Sequence, residues 1–333
     1  MAGAGENVVI AAGDCHVTLL PAMGGKIASL VVGGHELLQA PLNPYGPRTR
    51  TMAFSEGDAS GWDECLPSVA ECSVATQAGI VAIPDHGDLW RIPWKTLAAN
   101  ADSATLRVTC FSLPLQLTRS LIVSETPSGW QLQLLYSLTN LGAYPVPWSW
   151  AAHPLFAVSD GDRIVLPDSV QTLRLEGSGG NRLGKNGDTI LWPVAELADS
   201  KLEDLRTAHA ADSAIADKLF AGPMREGWCA LERTGTGLRL KVRFEPDLTP
   251  YLGLWICYGG WPEGSEAKQV CVAMEPATAP VDSLAQTGSW SRTLEPGDTF
   301  TWPMEMDIER ISQISGSAGG NLGKTAVNSG NNT

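Results

Sequence analysis

Residues 270–276 read Val-Cys-Val-Ala-Met-Glu-Pro, a run in which bulky and small side chains alternate. Successive side chains of a β-strand point to opposite faces, so the three bulky residues share one face, and Cys271, Ala273 and Glu275 share the other. The proline that follows has no backbone N–H, and we expect it to mark the end of the strand. The run therefore predicts a strand that ends on an ionisable group with small neighbours.

A second run, residues 148–154, repeats this pattern as Trp-Ser-Trp-Ala-Ala-His-Pro. The two tryptophans share one face of the predicted strand, and Ser149, Ala151 and His153 share the other. Small residues beside a titratable side chain leave room for a ligand. Polar residues at strand ends also face solvent without any role, so each strand alone is weak support. One basic and one acidic group in matching positions favour a functional site.

Alternating runs of this kind recur between Gly, Pro, Asn and Asp residues along most of the chain, and they predict an all-β fold. The other predicted strands are Cys15–Leu20, Lys26–Val32, Thr105–Phe111, Gln116–Val123, Trp130–Leu138, Leu238–Phe244, Tyr251–Tyr258 and Thr299–Ile308. One passable helix, Ala195–Leu219, is rich in helix-forming residues, but its apolar spacing is irregular and part of it is predicted as loop. We expect a single domain over residues 1–314 and a disordered tail over residues 315–333, which contains little to bury.

The composition excludes several classes of function. The chain has 333 residues, of which 44% are hydrophobic and 18% charged, and this is typical of a folded globule. A net charge of −13 disfavours binding to a phosphate backbone, so no nucleic-acid partner is predicted. No segment approaches the roughly 18 apolar residues of a membrane helix, and the first residues lack the pattern of a secretion signal. The seven cysteines form no CxxC pair, which favours reduced thiols in the cytoplasm.

Further candidate residues lie in turn-rich segments or on a third strand. His86 and Arg91 belong to residues 83–94, where a glycine beside the histidine allows the backbone to approach a ligand closely. Trp255 shares a strand face with Gly253 and could stack on a sugar, although an ordinary core position is the commoner fate of a strand tryptophan. The sequence contains no HxH, HExxH or Cys/His cluster, so no metal or other cofactor is predicted.

These segments, taken in order, resemble the landmarks of the galactose mutarotase-like superfamily. They are residues 61–67 (Gly-Trp-Asp-Glu-Cys-Leu-Pro), 85–87 (Asp-His-Gly), 153–156 (His-Pro-Leu-Phe), 217–220 (Asp-Lys-Leu-Phe), Trp255 and 275–280 (Glu-Pro-Ala-Thr-Ala-Pro). The resemblance extends over most of the chain before the tail and is nearest to the broad bacterial branch. It implies a large antiparallel β-sandwich and aldose 1-epimerase activity on a small-molecule sugar.

The resemblance also implies roles for individual residues. Glu275 matches the general base of the family, and His153 matches the general acid at the ring oxygen. His86 matches a second histidine near the ring oxygen or neighbouring hydroxyls, and Asp217 matches an aspartate that binds sugar hydroxyls.

Arg91 and Asp63 complete the predicted substrate-binding set. Relatives that act on sugar phosphates usually carry an arginine soon after the His-Gly pair, whereas Arg91 lies later, after three intervening residues. This departure puts a phosphorylated substrate in doubt.

The predicted chemistry suits these residue types. Opening a cyclic hemiacetal removes a proton from the anomeric hydroxyl and gives one to the ring oxygen, which a carboxylate and a histidine can do without a cofactor. Two alternatives remain open from the sequence. The chain could be a non-catalytic carbohydrate-binding or regulatory protein on the same fold. It could also be a glycoside hydrolase or lyase that pairs Asp63 or Glu64 with Glu275.

Overall fold

A computed structural model describes residues 6–311, and these residues form 25 β-strands, seven three-residue 3₁₀ turns and no α-helix. In chain order the strands are β1 (Val8–Ala12), β2 (Cys15–Leu20), β3 (Lys26–Val32), β4 (His35–Glu36), β5 (Trp62–Cys65), β6 (Cys72–Thr76), β7 (Gly79–Ile83), β8 (Lys95–Ala99), β9 (Ser103–Thr109), β10 (Leu115–Thr126), β11 (Gly129–Asn140), β12 (Val146–Trp148), β13 (Ala151–Ala157), β14 (Arg163–Val165), β15 (Thr172–Ser178), β16 (Thr189–Leu191), β17 (Val194–Glu196), β18 (Leu202–Asp204), β19 (Ile215–Ala221), β20 (Trp228–Arg233), β21 (Leu238–Phe244), β22 (Tyr251–Tyr258), β23 (Val270–Ala277), β24 (Arg292–Leu294) and β25 (Thr299–Arg310). The 3₁₀ turns are Pro21–Met23, Phe54–Glu56, Leu89–Arg91, Gly179–Asn181, Ala211–Ser213, Leu284–Gln286 and Gly288–Trp290. The predicted disordered tail, residues 315–333, lies outside the described residues.

Two large antiparallel sheets share one hydrophobic core, which confirms the predicted all-β sandwich. The larger sheet has 11 strands in the order β1-β2-β3-β5-β13-β23-β22-β19-β15-β16, with β4 paired to β3. The smaller has eight strands in the order β14-β20-β21-β25-β11-β10-β9-β8, so that the late strand β25 lies between β21 and β11. Three two-stranded sheets, β12-β24, β17-β18 and β6-β7, lie outside these two.

The alternation seen in the sequence explains how these strands pack. In β21 of the smaller sheet every second residue is buried and the others are partly exposed, as expected of a strand with one face on the core. In β22 and β23 of the larger sheet nearly all residues are buried, so both faces of these strands are covered. One face meets the second sheet, and the other is left for the loops and the candidate site.

The two prolines do not end their strands, so this part of the sequence prediction was wrong. Strand β13 continues through Pro154 to Ala157, and β23 continues through Pro276 to Ala277. Registered pairs between β13 and β23 are interrupted around Pro154. Proline lacks a backbone N–H, and at this position no registered partner on β23 requires one. The run 148–154 is also split, because β12 ends at Trp148 before β13 begins.

The predicted helix over Ala195–Leu219 is wrong as well. That stretch contributes β17, β18, a 3₁₀ turn at Ala211–Ser213 and the first part of β19. Its Ala, Leu, Glu and Lys residues favour a helix only weakly, and pairing with neighbouring strands overrides such a preference. Strand β19 in particular is buried between β22 and β15 within the larger sheet.

A buried carboxylate joins the two sheets. Glu64 on β5 accepts hydrogen bonds from Arg119 Nη1 (3.0 Å) on β10, Tyr136 Oη (2.9 Å) on β11 and Trp150 Nε1 (3.0 Å). Burial raises the pKa of Glu64 to about 7, although these three partners act in the opposite direction. Arg119 also donates to the backbone oxygen of Gly25, so its guanidinium is fixed between the sheets.

We expect Glu64→Gln to destabilise the fold by about 3–5 kcal/mol, because it leaves the Arg119 cation buried without its counter-ion. Urea unfolding measures this loss. The double variant Glu64→Gln/Arg119→Met should recover part of it. Glu232→Gln is a matched control, since its ion pair with Arg239 (3.8 Å) is partly exposed and should contribute less than about 1 kcal/mol. Equal losses in Glu64→Gln and the control would contradict the inter-sheet role.

Candidate functional site

A cavity of about 370 Å³ lies on the face of the larger sheet that points away from the second sheet. Aromatic, polar and small side chains from the sheet and its loops form its lining. They are Ala53, Phe54, Ser55, Val69, Ala70, Asp85, His86, His153, Lys218, Trp255, Trp261, Gln269 and Asp282.

A single row of residues crosses the sheet beneath this cavity. Asp63 on β5 is registered with His153 on β13, and Glu275 on β23 with Gly253 on β22, which in turn pairs with Phe220 on β19. The registered pairs on either side of His153 bring it opposite Glu275. Register therefore places the predicted acid and base side by side, although they are far apart in the sequence.

His153 and Glu275 form a buried acid–base pair. The distance from His153 Nε2 to Glu275 Oε1 is 3.8 Å. Neither Glu275 Oε1 nor His153 Nδ1 has a hydrogen-bond partner among the described residues. The ring of His153 lines the cavity, whereas Glu275 is fully buried behind the lining side chains. Buried polar atoms without partners are uncommon in proteins and often belong to functional sites.

Burial shifts the pKa values of both groups towards their neutral forms. It lowers the pKa of His153 well below its ordinary value of 6.5, and His86, Lys218 and Lys26 add to this effect. It raises the pKa of Glu275 above 4.5, although Lys218 acts in the opposite direction. Both shifts oppose charge on the pair, so a proton passing between the two groups leaves no isolated buried charge behind.

Lys218 and Gly253 complete the site, and the sequence analysis did not assign a role to either. Lys218 Nζ donates to Glu275 Oε2 and lies 3.6 Å from Asp282 Oδ1. A Cβ atom at position 253 would lie 2.8 Å from Glu275 Oε2, so the glycine leaves space for the carboxylate. Alternation along β19 gave one sequence signal for Lys218. It places Lys218 and Phe220 on one face of the strand and Asp217 on the other.

His86 lies in the loop that borders His153. Its ring stacks on Phe54 with centroids 3.9 Å apart, and it meets the ring of His153 edge-on at 5.2 Å. Asp85 Oδ2 lies 2.9 Å from His86 Nδ1, which fixes the orientation of the ring. The following Gly87 has a left-handed φ of 68°, and a Cβ there would lie 2.2 Å from Leu66 O.

Trp255 forms another part of the cavity lining. Its indole is only partly buried, and Nε1 donates to Gln269 Oε1 at 2.9 Å. Gln269 is held in turn by the backbone oxygen of Ala59 (2.9 Å). Trp261 lies beside the same apolar cluster, so two indoles face the cavity. Flat aromatic surfaces of this kind suit the apolar face of a sugar ring.

The structure does not bring Asp217 to the cavity. Asp217 points to the opposite face of β19, where it accepts hydrogen bonds from Ser178 Oγ (2.6 Å) and Arg182 Nε (2.8 Å). It is fully buried there. These contacts favour a structural role, and the neighbouring Lys218 faces the cavity instead.

Arg91 and Asp63 lie near the site but are not part of the cavity lining. Arg91 donates to the backbone oxygens of Met52 (2.6 Å) and Asp85 (2.8 Å), so it holds the two loops that carry lining residues. Asp63 Oδ2 accepts a hydrogen bond from Lys26 Nζ at 2.5 Å. Both side chains support the site from behind.

Two kinds of feature are absent from the described part of the chain. Residues 6–311 contain no group of three or more His, Cys, Asp or Glu side chains placed to hold a metal ion. Within the same residues, no helix is long and apolar enough to cross a membrane.

Similarity to known proteins rests on structure. No protein-family model and no curated protein sequence matches the chain. Slr1438 from Synechocystis sp. PCC 6803 superposes with a TM-score of 0.68 at 16% identity, covering 93% of this chain and 99% of that protein. A GalM/aldose epimerase homologue from C. elegans gives 0.65 at 13%, covering 93% and 100%. A galactose mutarotase-like protein from Lactobacillus casei ATCC 334 gives 0.63 at 18%, covering 91% and 100%. The chain therefore has the galactose mutarotase-like fold.

Proposed function

We propose that this protein is an aldose 1-epimerase that interconverts the α and β anomers of a free sugar. The observation that carries the proposal is the buried pair of His153 and Glu275, 3.8 Å apart, beside a cavity of about 370 Å³. Ligand pockets typically measure about 300–1,000 Å³ and combine apolar walls with a few polar groups. The similarity in fold to a GalM/aldose epimerase homologue from C. elegans is consistent with this activity.

The reaction needs one base and one acid at the sugar ring. Glu275 takes the proton of the anomeric hydroxyl while His153 gives a proton to the ring oxygen, and the bond between C1 and the ring oxygen breaks. Rotation about the C1–C2 bond presents the other face of the aldehyde. Reclosure returns the protons to their original places, so no cofactor is consumed.

The buried surroundings of the pair suit this cycle. Ring opening converts a carboxylate and an imidazolium into a neutral carboxylic acid and a neutral imidazole. Burial disfavours charged forms, so it stabilises the pair at the open-chain stage. Glu275 is fully buried and is not part of the cavity lining, so a bound sugar reaches its carboxylate only when a lining side chain shifts.

The charge around the cavity favours an unphosphorylated sugar. Among the described residues that line it, Lys218 is the one Lys or Arg, and it already contacts Glu275 and Asp282. Arg91 is turned to backbone oxygens. No free cation of the lining is therefore left to bind a phosphate group.

The hydrolase or lyase alternative has less support. It pairs Asp63 or Glu64 with Glu275, but Glu64 points into the sandwich and accepts a hydrogen bond from Arg119. Asp63 is hydrogen-bonded to Lys26. Neither carboxylate lines the cavity.

We expect Glu275→Gln to slow anomer exchange by about 10²-fold or more while sugar affinity stays within a few-fold, because only transition-state interactions are lost. His153→Asn should behave in the same way. NMR exchange spectroscopy or polarimetry on a panel of free aldoses measures the rates. Glu295→Gln, at an exposed position, is the control and should match the wild type. A wild type that binds sugars but accelerates no exchange would favour the non-catalytic binder.

The pH dependence of exchange tests the assigned roles. Ionised Glu275 is lost as pH falls through its raised pKa, which lies above 4.5, and protonated His153 is lost as pH rises through its lowered pKa, which lies below 6.5. We therefore expect a bell-shaped kcat/KM, after subtraction of the spontaneous rate, with its maximum on the acid side of 6.5. A maximum above about pH 7.5 would contradict His153 as the acid.

We expect Trp255→Ala to weaken sugar binding several-fold, because aromatic contacts of this kind contribute about 0.5–1.5 kcal/mol beyond buried area. Isothermal titration calorimetry measures the affinity. Trp228→Ala on the smaller sheet is a matched control, since this partly exposed indole lies outside the cavity. Unchanged affinity together with a lowered melting temperature would make Trp255 a core residue.

A further inference from the structure

We infer that Lys218 is a positioning residue for Glu275: it holds one carboxylate oxygen so that the other stays free and directed at His153. This inference rests on the proposed function, in which Glu275 is the base. It adds a residue to the site that acts on the sugar through Glu275.

The sheet geometry makes this contact possible. Lys218 is on β19 and Glu275 on β23, and β22 lies between these two strands. Glu275 is registered with Gly253 on β22, whereas Lys218 is registered with Trp255, two residues further along the same face. The contact therefore runs diagonally across β22. A side chain at position 253 would stand beside the carboxylate, and glycine has none. A Cβ atom there would lie 2.8 Å from Glu275 Oε2. The carboxylate therefore lies over the glycine and reaches the ammonium group beyond it.

The two carboxylate oxygens have different surroundings. Oε2 accepts the hydrogen bond from Lys218 Nζ. Oε1 has no hydrogen-bond partner within residues 6–311 and lies 3.8 Å from His153 Nε2. A buried oxygen without a donor costs free energy, so it persists only where the rest of the structure fixes the group. The bond to Lys218 is the contact that fixes it here.

Lys218 also provides most of the positive charge that Glu275 meets. The titratable groups around Glu275 come from several elements: Lys218 on β19, Asp282 after β23, His153 on β13, His86 in its loop, Cys65 on β5 and Cys271 on β23. Burial raises the pKa of both thiols well above their ordinary values, so they are neutral. Asp282 repels the Glu275 carboxylate. Without the ammonium group, burial and Asp282 would together favour the protonated acid, which cannot act as a base.

The contacts of Lys218 argue against its acting as a nucleophile on the open-chain aldehyde. Burial alone would lower its pKa, but Asp282 and Glu275 together hold that pKa above the ordinary value of 10.5. The amine therefore remains an ammonium ion without a free electron pair. Lys218 can therefore stabilise the charge of the Glu275 carboxylate and hold its orientation, but it cannot attack the aldehyde.

Three variants test the inference through kcat, KM and the pH profile of exchange. Lys218→Met removes the charge and should lower kcat by about 10²-fold, the loss expected when a catalytic group moves by ~1 Å, with KM little changed. Its acidic limb should move to higher pH, because Glu275 then binds a proton more readily. Lys218→Arg keeps the charge and should leave the acidic limb at the wild-type position.

Gly253→Ala keeps both charges and moves the carboxylate away from Lys218. The added Cβ would lie 2.8 Å from Glu275 Oε2, and 3.2 Å and 3.3 Å from Phe220 Cε1 and Glu275 Cβ, so the carboxylate end has to move furthest. Position 253 lies in a regular strand, so the fold should survive even if Lys218→Met does not. We expect the same loss of kcat. Gly235→Ala is the matched control, because a Cβ there meets no atom within 4 Å among the described residues.

A titration without sugar separates this inference from the proposed function. Infrared difference spectra between the wild type and Glu275→Gln report the ionisation of the Glu275 carboxyl directly. In the Lys218→Met background, or in Gly253→Ala if Lys218→Met fails to fold, we expect that carboxyl to titrate at higher pH than in the wild type. An unchanged titration would overturn the role of Lys218, whatever the exchange rates are. A shifted titration in a protein that exchanges no sugar would support the contact and contradict the proposed function instead.

Discussion

The rest of the structure depends on the hydrogen bonds that the buried Glu64 carboxylate accepts from Arg119 and Tyr136. They connect one strand of the larger sheet to two strands of the smaller one. Side chains alternate along a strand, so directing Glu64 into the sandwich directs its neighbours Asp63 and Cys65 to the opposite face. Strand β5 then pairs with β13 and sets which face His153 occupies. The face that carries the site is thus determined by an ion pair in the interior.

Missing side-chain volume shapes the site as much as the polar groups do. Gly253 leaves the space in which the Glu275 carboxylate lies, and Ala273 and Ala151 keep the neighbouring positions small. Both faces of these central strands are covered, so polar groups placed there are desolvated. Their pKa values then depend on a few close neighbours, of which Lys218 is the nearest cation. The small residues make room for the pair of His153 and Glu275, and the same close packing keeps that pair buried.

Much of the fold was readable from the sequence because alternation is a local property. Four predicted strands, Cys15–Leu20 among them, have the observed bounds. The faces assigned around Glu275 also agree with the packing of β23, whose bulky residues join the main core while Cys271 and Ala273 belong to a separate cluster. The contact between Lys218 and Glu275 could not be predicted in this way, since it depends on the order in which β19, β22 and β23 pair, which no local pattern encodes. The resemblance singled out Asp217, but alternation places Asp217 and Lys218 on opposite faces. The Ala195–Leu219 helix failed because composition describes a weak preference and pairing decides the outcome.

The position of β25 has a consequence for how the chain folds as it is synthesised. Strands β11 and β21 are both made long before β25, yet each pairs with it and not with the other. The smaller sheet therefore cannot be complete until Thr299–Arg310 has left the ribosome. During that interval β11 and β21 each have an unpaired edge, which is a surface on which other nascent chains can add a strand. Strand β25, the last strand of residues 6–311, thus completes the smaller sheet by pairing with β21 on one side and β11 on the other.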